Sequence, residues 1–165
     1  MTSGDPLFVR IYMPSLVKSD SSLVHSKITT ERRNYVKCES PNIVSFHSAS
    51  SEVDLVYDQT TSLTIGYLAT EYCTLAHLTD CAMLGDLMPE PTLRYVIKSI
   101  ISGIKAIHSQ RMAHRNLKLD HIYVDNNGAV KIGGLKYAGY EGELTTHEIE
   151  SNYAAPEILA DSCSC

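Results

Sequence analysis

One stretch of this 165-residue chain constrains its folding more than any other. From Met112 to Gly134 it reads M-A-H-R-N-L-K-L-D-H-I-Y-V-D-N-N-G-A-V-K-I-G-G. Ile122-Tyr123-Val124 and Val130-Lys131-Ile132 have the composition of two short strands. Asn126-Asn127-Gly128 between them tolerate the positive φ of a tight turn, so the segment should fold back on itself as a hairpin. Upstream, Leu93, Val96, Ile97, Ile100, Ile101, Ile104 and Ile107 recur at i, i+3, i+4 and i+7. That period predicts a helix over 92–109 with a wide apolar stripe, read as a core face. A long helix, a basic loop at 114–118 and a tight hairpin therefore follow one another.

The remaining elements are shorter. Residues 7–13 have strand composition and Pro14 ends them. Residues 15–25 read as a loop, and 26–38 as a helix capped by Ser26, with Ile28, Arg32, Tyr35 and Val36 on one face. Strands are predicted at 43–49 and 63–72, separated by a polar loop holding Asp54, Asp58 and Gln59. One short helix falls within 74–91, and 135–150 reads as a polar loop. A net charge of −5 gives no reason to expect nucleic acid or an anionic membrane as partner. No apolar run approaches the roughly 18 residues of a membrane span, and the start lacks a signal-peptide profile. Five Cys, an odd number without framework spacing, point to reduced thiols and a cytoplasmic protein. The seven His show no metal-ligand spacing with Cys, so no metal site is expected.

His114-Arg115-Asn116-Leu117-Lys118, the hairpin and Gly134-Leu135-Lys136 resemble the catalytic loop and metal-binding hairpin of protein kinases, whose pattern is H-R-D-L-K-x-x-N, two strands, then D-F-G. Further landmarks stand in register. Val9-Arg10-Ile11-Tyr12 is similar to the strand V-A-I-K of that family, and Glu31 falls at the spacing of its helix-C glutamate. Pro41-Asn42-Ile43-Val44, the hinge-like Ala69-Thr70-Glu71-Tyr72-Cys73, Ile107-His108 and Ala155-Pro156-Glu157 complete the match. The resemblance implies an α+β, protein-kinase-like fold. Residues 1–73 would be a partial N-lobe from the third strand to the hinge, and 74–165 a partial C-lobe ending at A-P-E. On this reading the chain covers the middle of a kinase domain, truncated at both ends and lacking the Gly-rich loop. Lys118 places it nearer the Ser/Thr-specific branch.

The same resemblance marks what is lost. Tyr12 stands for the phosphate-binding Lys, Asn116 for the catalytic Asp, and His121 and Gly134 for the two metal ligands, while Glu31, Arg115 and Lys118 are retained. Glu31 should lack its ion-pair partner, with Lys18 and Lys136 the nearest substitutes. Cradle, metal and base together supply nearly all of phosphoryl-transfer catalysis, and loss of the base alone costs roughly 10²–10⁴-fold. Arg10 above and Tyr123 below should fill the adenine slot beside Thr70, Glu71 and Cys73, the alternative being that the Tyr123 ring stacks on a base. Tyr35, Phe46, His114 and Leu135 take the positions of the hydrophobic column that joins the lobes. Asp125 should face solvent on the turn. Arg115 would order the activation segment through a phosphate on Thr145, Thr146 or Ser151, and Glu157 would be solvated. Three functions follow. The first is a pseudokinase scaffold without cofactor that binds another protein, possibly an active kinase. The second is a divergent Ser/Thr kinase using ATP and Mg²⁺ weakly, and the third a non-functional fragment.

Overall fold

The computed structural model describes residues 6–13, 21–56, 62–73, 76–83, 88–143, 153, 154 and 156. Strand β1 (Leu7–Tyr12), helix α1 (Ser21–Lys37), β2 (Phe46–Val56) and β3 (Ser62–Glu71) come first. Next are β4 (Ala76–His77), α2 (Leu78–Met83), α3 (Glu90–Ser109) and β5 (Met112–Ala113). The hairpin β6 (Ile122–Val124) and β7 (Val130–Ile132) and a short β8 (Gly139–Tyr140) complete the order. The fold is α+β, with an antiparallel sheet in the order β1-β3-β2 and a second small sheet β4-β6-β7. This is a partial protein-kinase-like architecture.

Helix α1 begins by Ser21, so residues 21–25, expected as loop, are helical and Ser26 is interior rather than a cap. Its inward face is also rotated from the expected one. Arg32 and Val36 face solvent, whereas Ile28, Glu31, Asn34, Tyr35 and Cys38 are buried. The reason is chemical: Glu31 and Asn34 find polar partners inside, and hydrophobicity alone ranks both as surface residues. Gly66 on β3 lets Ile28 and Val24 of α1 close onto the sheet, where a Cβ would collide with Ile28. Strand β2 runs on to Val56, taking in Asp54, whose carboxylate accepts from Thr64 Oγ1 across the sheet at 2.7 Å.

The hairpin forms as its turn residues require, with Gly128 at φ 79°. Asp125 does not face solvent. It accepts from the backbone N–H of Asn127 and Ala129 at 2.8 and 2.9 Å and lies 3.4 Å from Lys131 Nζ. The segment after α1 adds to β7 by a parallel bridge, Ile43 to Ile132, with Val44 N donating to Ile132 O at 2.9 Å. Helix α3 closes on this hairpin at Gly103, where a Cβ would lie 2.7 Å from Asn42 O and 2.8 Å from Ile132 Cδ1. Only one edge of the α3 stripe is core. Val96 and Ile107 are buried, but Leu93, Ile97 and Ile101 are 44%, 46% and 52% exposed. Residues 135–143 are not simply loop: 135–137 form a 3₁₀ turn and β8 pairs with β5. No described helix is long and apolar enough to cross a membrane.

Asn34 ties α1 to the segment after the hairpin. Its Nδ2 donates to Leu135 O at 2.9 Å and Ala138 O at 2.6 Å, with the side chain wholly buried. Asn34→Ala strands the buried carbonyl of Ala138, while Leu135 O keeps the N–H of Ala138, and is expected to destabilise by about 1–3 kcal/mol, read from the urea unfolding midpoint.

Candidate functional site

The site lies where β1, α1 and the residues after β7 meet. β1 pairs with β3 so that Tyr12 opposes Gly66 and Arg10 opposes Leu68. Alternation along β1 then puts Arg10 and Tyr12 on the same face, toward α1. Arg10 Nη1 reaches Glu31 Oε1 at 2.7 Å, and Tyr12 OH donates to Glu31 Oε2. Glu31 is therefore paired, contrary to expectation, by a residue outside the landmark position. Neither proposed substitute serves: Lys18 lies outside the described residues, and Lys136 Nζ sits 4.9 Å from the Tyr137 ring centroid. Burial alone would lower the Arg10 pKa, but the Glu31 carboxylate and the Tyr12 hydrogen bond hold it raised. Burial and the charge of Glu31 push the Tyr12 phenol up to about 12, so it stays a neutral donor.

The two metal-ligand positions have closed on each other. Gly134 adopts φ 73°, and a Cβ there would lie 2.6 Å from Cδ2 and Cγ of the His121 ring. That ring is fixed by Nδ1–H donation to Asn116 O at 2.7 Å. Its pKa is lowered, chiefly by burial. Mg²⁺ needs hard oxygen ligands in near-octahedral array. An imidazole filling the space beside a glycine does not offer them. Among the described residues, no group of three or more His, Cys, Asp and Glu side chains could hold a metal. Asn116 Oδ1 is buried with no hydrogen-bond partner, and Lys118 Nζ lies 3.2 Å from Asp120.

Around this core the column positions pack. Tyr35 and Leu135 are buried in one cluster with Phe46 at its margin, and Gly134 N donates to Tyr35 OH at 3.0 Å. His114 Nε2 donates to Gly133 O at 2.8 Å while Nδ1 accepts from Asn116 N, so the neutral ring is satisfied on both sides. Burial pushes its pKa down to about 4. Arg115, at φ 63°, spends its guanidinium on the carbonyls of Tyr140 and Glu143. The segment through 143 is thus tied to Arg115 through its backbone carbonyls. Thr145, Thr146, Ser151 and Glu157 lie outside the described residues.

The slot expected to be filled keeps a cleft of about 330 Å³, lined by Arg10, Tyr35, Thr70, Glu71, Cys73 and Tyr123 among others. Arg10 leaves it open because its guanidinium turns to Glu31. Tyr123 packs against Gly133, where a Cβ would meet its Cε2 at 2.7 Å, and tilts against His77. Thr70 is buried, and burial followed by the Glu71 charge pushes the Cys73 thiol up to about 11. Glu71 joins three segments. It accepts from Ser45 N at 2.6 Å and pairs with Lys131 Nζ at 2.6 Å, itself close to Asp125. The Arg10–Glu31 pairing, the Asn34 tether and the Glu71–Lys131 clamp escaped sequence reasoning. The strand alternation that puts residues 10 and 12 on one face was the available signal for the first.

Two measurements check this geometry. Arg10→Met leaves a buried carboxylate with only the Tyr12 hydroxyl and is expected to cost roughly 3 kcal/mol. The double variant Arg10→Met/Glu31→Met should cost less than the two single changes added together, read by denaturant unfolding. His114 has a folded pKa below its unfolded one, so the unfolded chain binds the extra proton between the two. Stability should therefore fall as pH drops from about 6.5 to about 4, by roughly 3 kcal/mol. His114→Phe should flatten that slope in a melting series across the same pH range.

Comparison with known proteins agrees with this architecture. The protein kinase domain family matches residues 14–164. That match begins after β1 and does not include Arg10 or Tyr12. The chain is 28% identical over 141 residues to the inactive serine/threonine-protein kinase PLK5 of Mus musculus, covering 83% of this chain and 22% of that protein. It is 27% identical over 161 residues to the cell cycle serine/threonine-protein kinase CDC5/MSD2 of Saccharomyces cerevisiae, covering 95% and 21%. To serine/threonine-protein kinase PLK1 of Xenopus laevis it is 31% identical over 137 residues, covering 81% and 21%. The chain thus spans about a fifth of the length of these relatives. With helix, basic loop, hairpin and sheet in this order, and a domain match over nearly the whole sequence, the chain belongs to the protein kinase family.

Proposed function

We propose that this kinase-family chain works as a pseudokinase: a binding and regulatory module that transfers no phosphate. The observation that carries the reading is the His121 ring in the space beside Gly134, where a metal-binding side chain would have to project. Asn116 adds to it, because an amide cannot take up the proton of an attacking hydroxyl. The similar mouse protein is itself named inactive, which supports the same direction. The module acts on another protein, an active kinase being the leading candidate, and needs neither ATP nor Mg²⁺ to do so. The partly exposed row Leu93, Ile97 and Ile101 on α3 supports a role in contact rather than catalysis. Cys38 and Cys73 are free thiols, as a cytoplasmic location requires.

The cleft of about 330 Å³ favours a second reading, a divergent Ser/Thr kinase that still takes up nucleotide. The two part in a transfer assay. Incubated with labelled ATP and Mg²⁺ or Mn²⁺, the unmodified chain is expected to incorporate no label above a blank into itself or a generic acceptor. Metal-dependent incorporation that tracks the purified chain would replace the first reading with the second.

A further inference from the structure

The turn between β6 and β7 carries the chain's one Asn-Gly step, Asn127-Gly128. An asparagine before a glycine can be attacked by its own backbone. The next amide nitrogen closes a five-membered ring on the side-chain carbonyl, and glycine has no Cβ to block the approach. The structure leaves that route open. Asn127 is exposed, Gly128 adopts φ 79°, and a Cβ built on Gly128 would meet nothing within 4 Å. Asn126 is exposed too, but the nitrogen that follows it belongs to Asn127, whose side chain crowds the attack. Asn34 is buried and precedes Tyr35, and the half-buried Asn42 and Asn116 precede Ile43 and Leu117.

We propose that Asn127 is a site of spontaneous deamidation, and that Asp125 sets its rate by holding the turn closed. The Gly128 nitrogen gives up its proton to water or hydroxide and forms a bond to Asn127 Cγ. The Cγ–Nδ2 bond breaks and ammonia leaves, closing a succinimide. Water then opens the ring. Attack at the main-chain carbonyl routes the backbone through Cγ as isoaspartate, and attack at Cγ gives aspartate. Water is consumed, ammonia is released, and no oxidant or reductant takes part. In the closed turn the attacking nitrogen is engaged, because Gly128 N–H donates to Asp125 O at 3.0 Å. The Asp125 carboxylate accepts from the N–H of Asn127 and Ala129 at 2.8 and 2.9 Å, and its charge opposes loss of a proton from Gly128 N. Reaction therefore follows opening of the turn. Its product reaches beyond the turn. Isoaspartate lengthens the backbone by a methylene group and adds a negative charge close to Asp125. Both changes bear on Lys131, which holds Asp125 on one side and Glu71 at the end of β3 on the other. They also bear on Tyr95 of α3, whose OH donates to Gly128 O at 3.3 Å.

The test ages the full chain at neutral and mildly alkaline pH, folded in buffer and unfolded in urea. Trypsin releases Leu119–Lys131, and mass spectrometry with electron-transfer fragmentation assigns any amide-to-acid change to residue 126 or 127. Labelling by isoaspartyl methyltransferase counts the rearranged product. Conversion of Asn127 with formation of isoaspartate is expected in the folded chain, faster as pH rises and faster in urea than in buffer. Asp125→Ala should speed it roughly three- to tenfold in buffer, the factor that one or two turn hydrogen bonds make in the open population, and much less in urea. Asp125→Asn, which keeps the acceptor and loses the charge, should fall between that variant and the parent. Aged chain should melt below fresh chain, whereas Asn127→Ser should keep its melt through the same ageing. An intact Asn127 in buffer when the urea sample has converted overturns the site, as does conversion at Asn126 in its place. Equal rates in buffer for the parent and both Asp125 variants overturn the role of Asp125. An Asn127→Ser chain that loses its melt as the parent does overturns the effect on the fold.

Discussion

A carboxylate with no exposed surface has to be matched or it cannot stay charged, and Glu31 is such a group in the middle of α1. The match comes from Arg10 and Tyr12 on β1, which fixes where the helix sits against the sheet. Once α1 is placed, its next turn is placed too. Asn34 then reaches the carbonyls of Leu135 and Ala138, and Tyr35 accepts from the N–H of Gly134. His114 holds the carbonyl of Gly133 from the other side. Sheet, helix and hairpin are thus joined through a short run of buried polar contacts, each satisfied inside the protein. Weakening the Glu31 match releases the helix that carries the rest.

The arrangement is held by the protein's own side chains at positions where the family pattern has other residues. Arg10 and Tyr12 stand at Glu31, the His121 ring stands beside Gly134, and backbone carbonyls take up Arg115. A second tie, Glu71 to Ser45 and Lys131, fixes the end of β3 to the hairpin. Each is a local solution to an electrostatic or steric need, and together they yield an ordered site.

Much of this was legible beforehand. The Asn-Asn-Gly turn and the isoleucine period of α3 announce themselves, because turn chemistry and amphipathic spacing are local properties. The inward face of α1 was not legible: a hydrophobicity pattern ranks Val36 above Glu31 and Asn34, yet Val36 is the exposed one. Nor was the partner of Glu31: the family pattern points to a lysine, whereas the pairing residue is an arginine two residues along the same strand. Asp125 read as a solvent-facing turn residue for the same reason. Its Lys131 partner lies across the hairpin, and its backbone donors depend on the turn's exact path.

The sequence by itself determined the family frame, the order of elements and the residues missing from the catalytic pattern, because these depend on spacing and residue type. Whether a missing side chain leaves a vacancy or is answered by a neighbour was decided only in three dimensions. Glu31 and Arg10 are 21 residues apart, and Asn34 and Leu135 are 101 apart. No local pattern carries contacts of that range. Burial fixed them, because a polar group such as Glu31 or Asn34 taken from water is costly unless the fold brings it a partner.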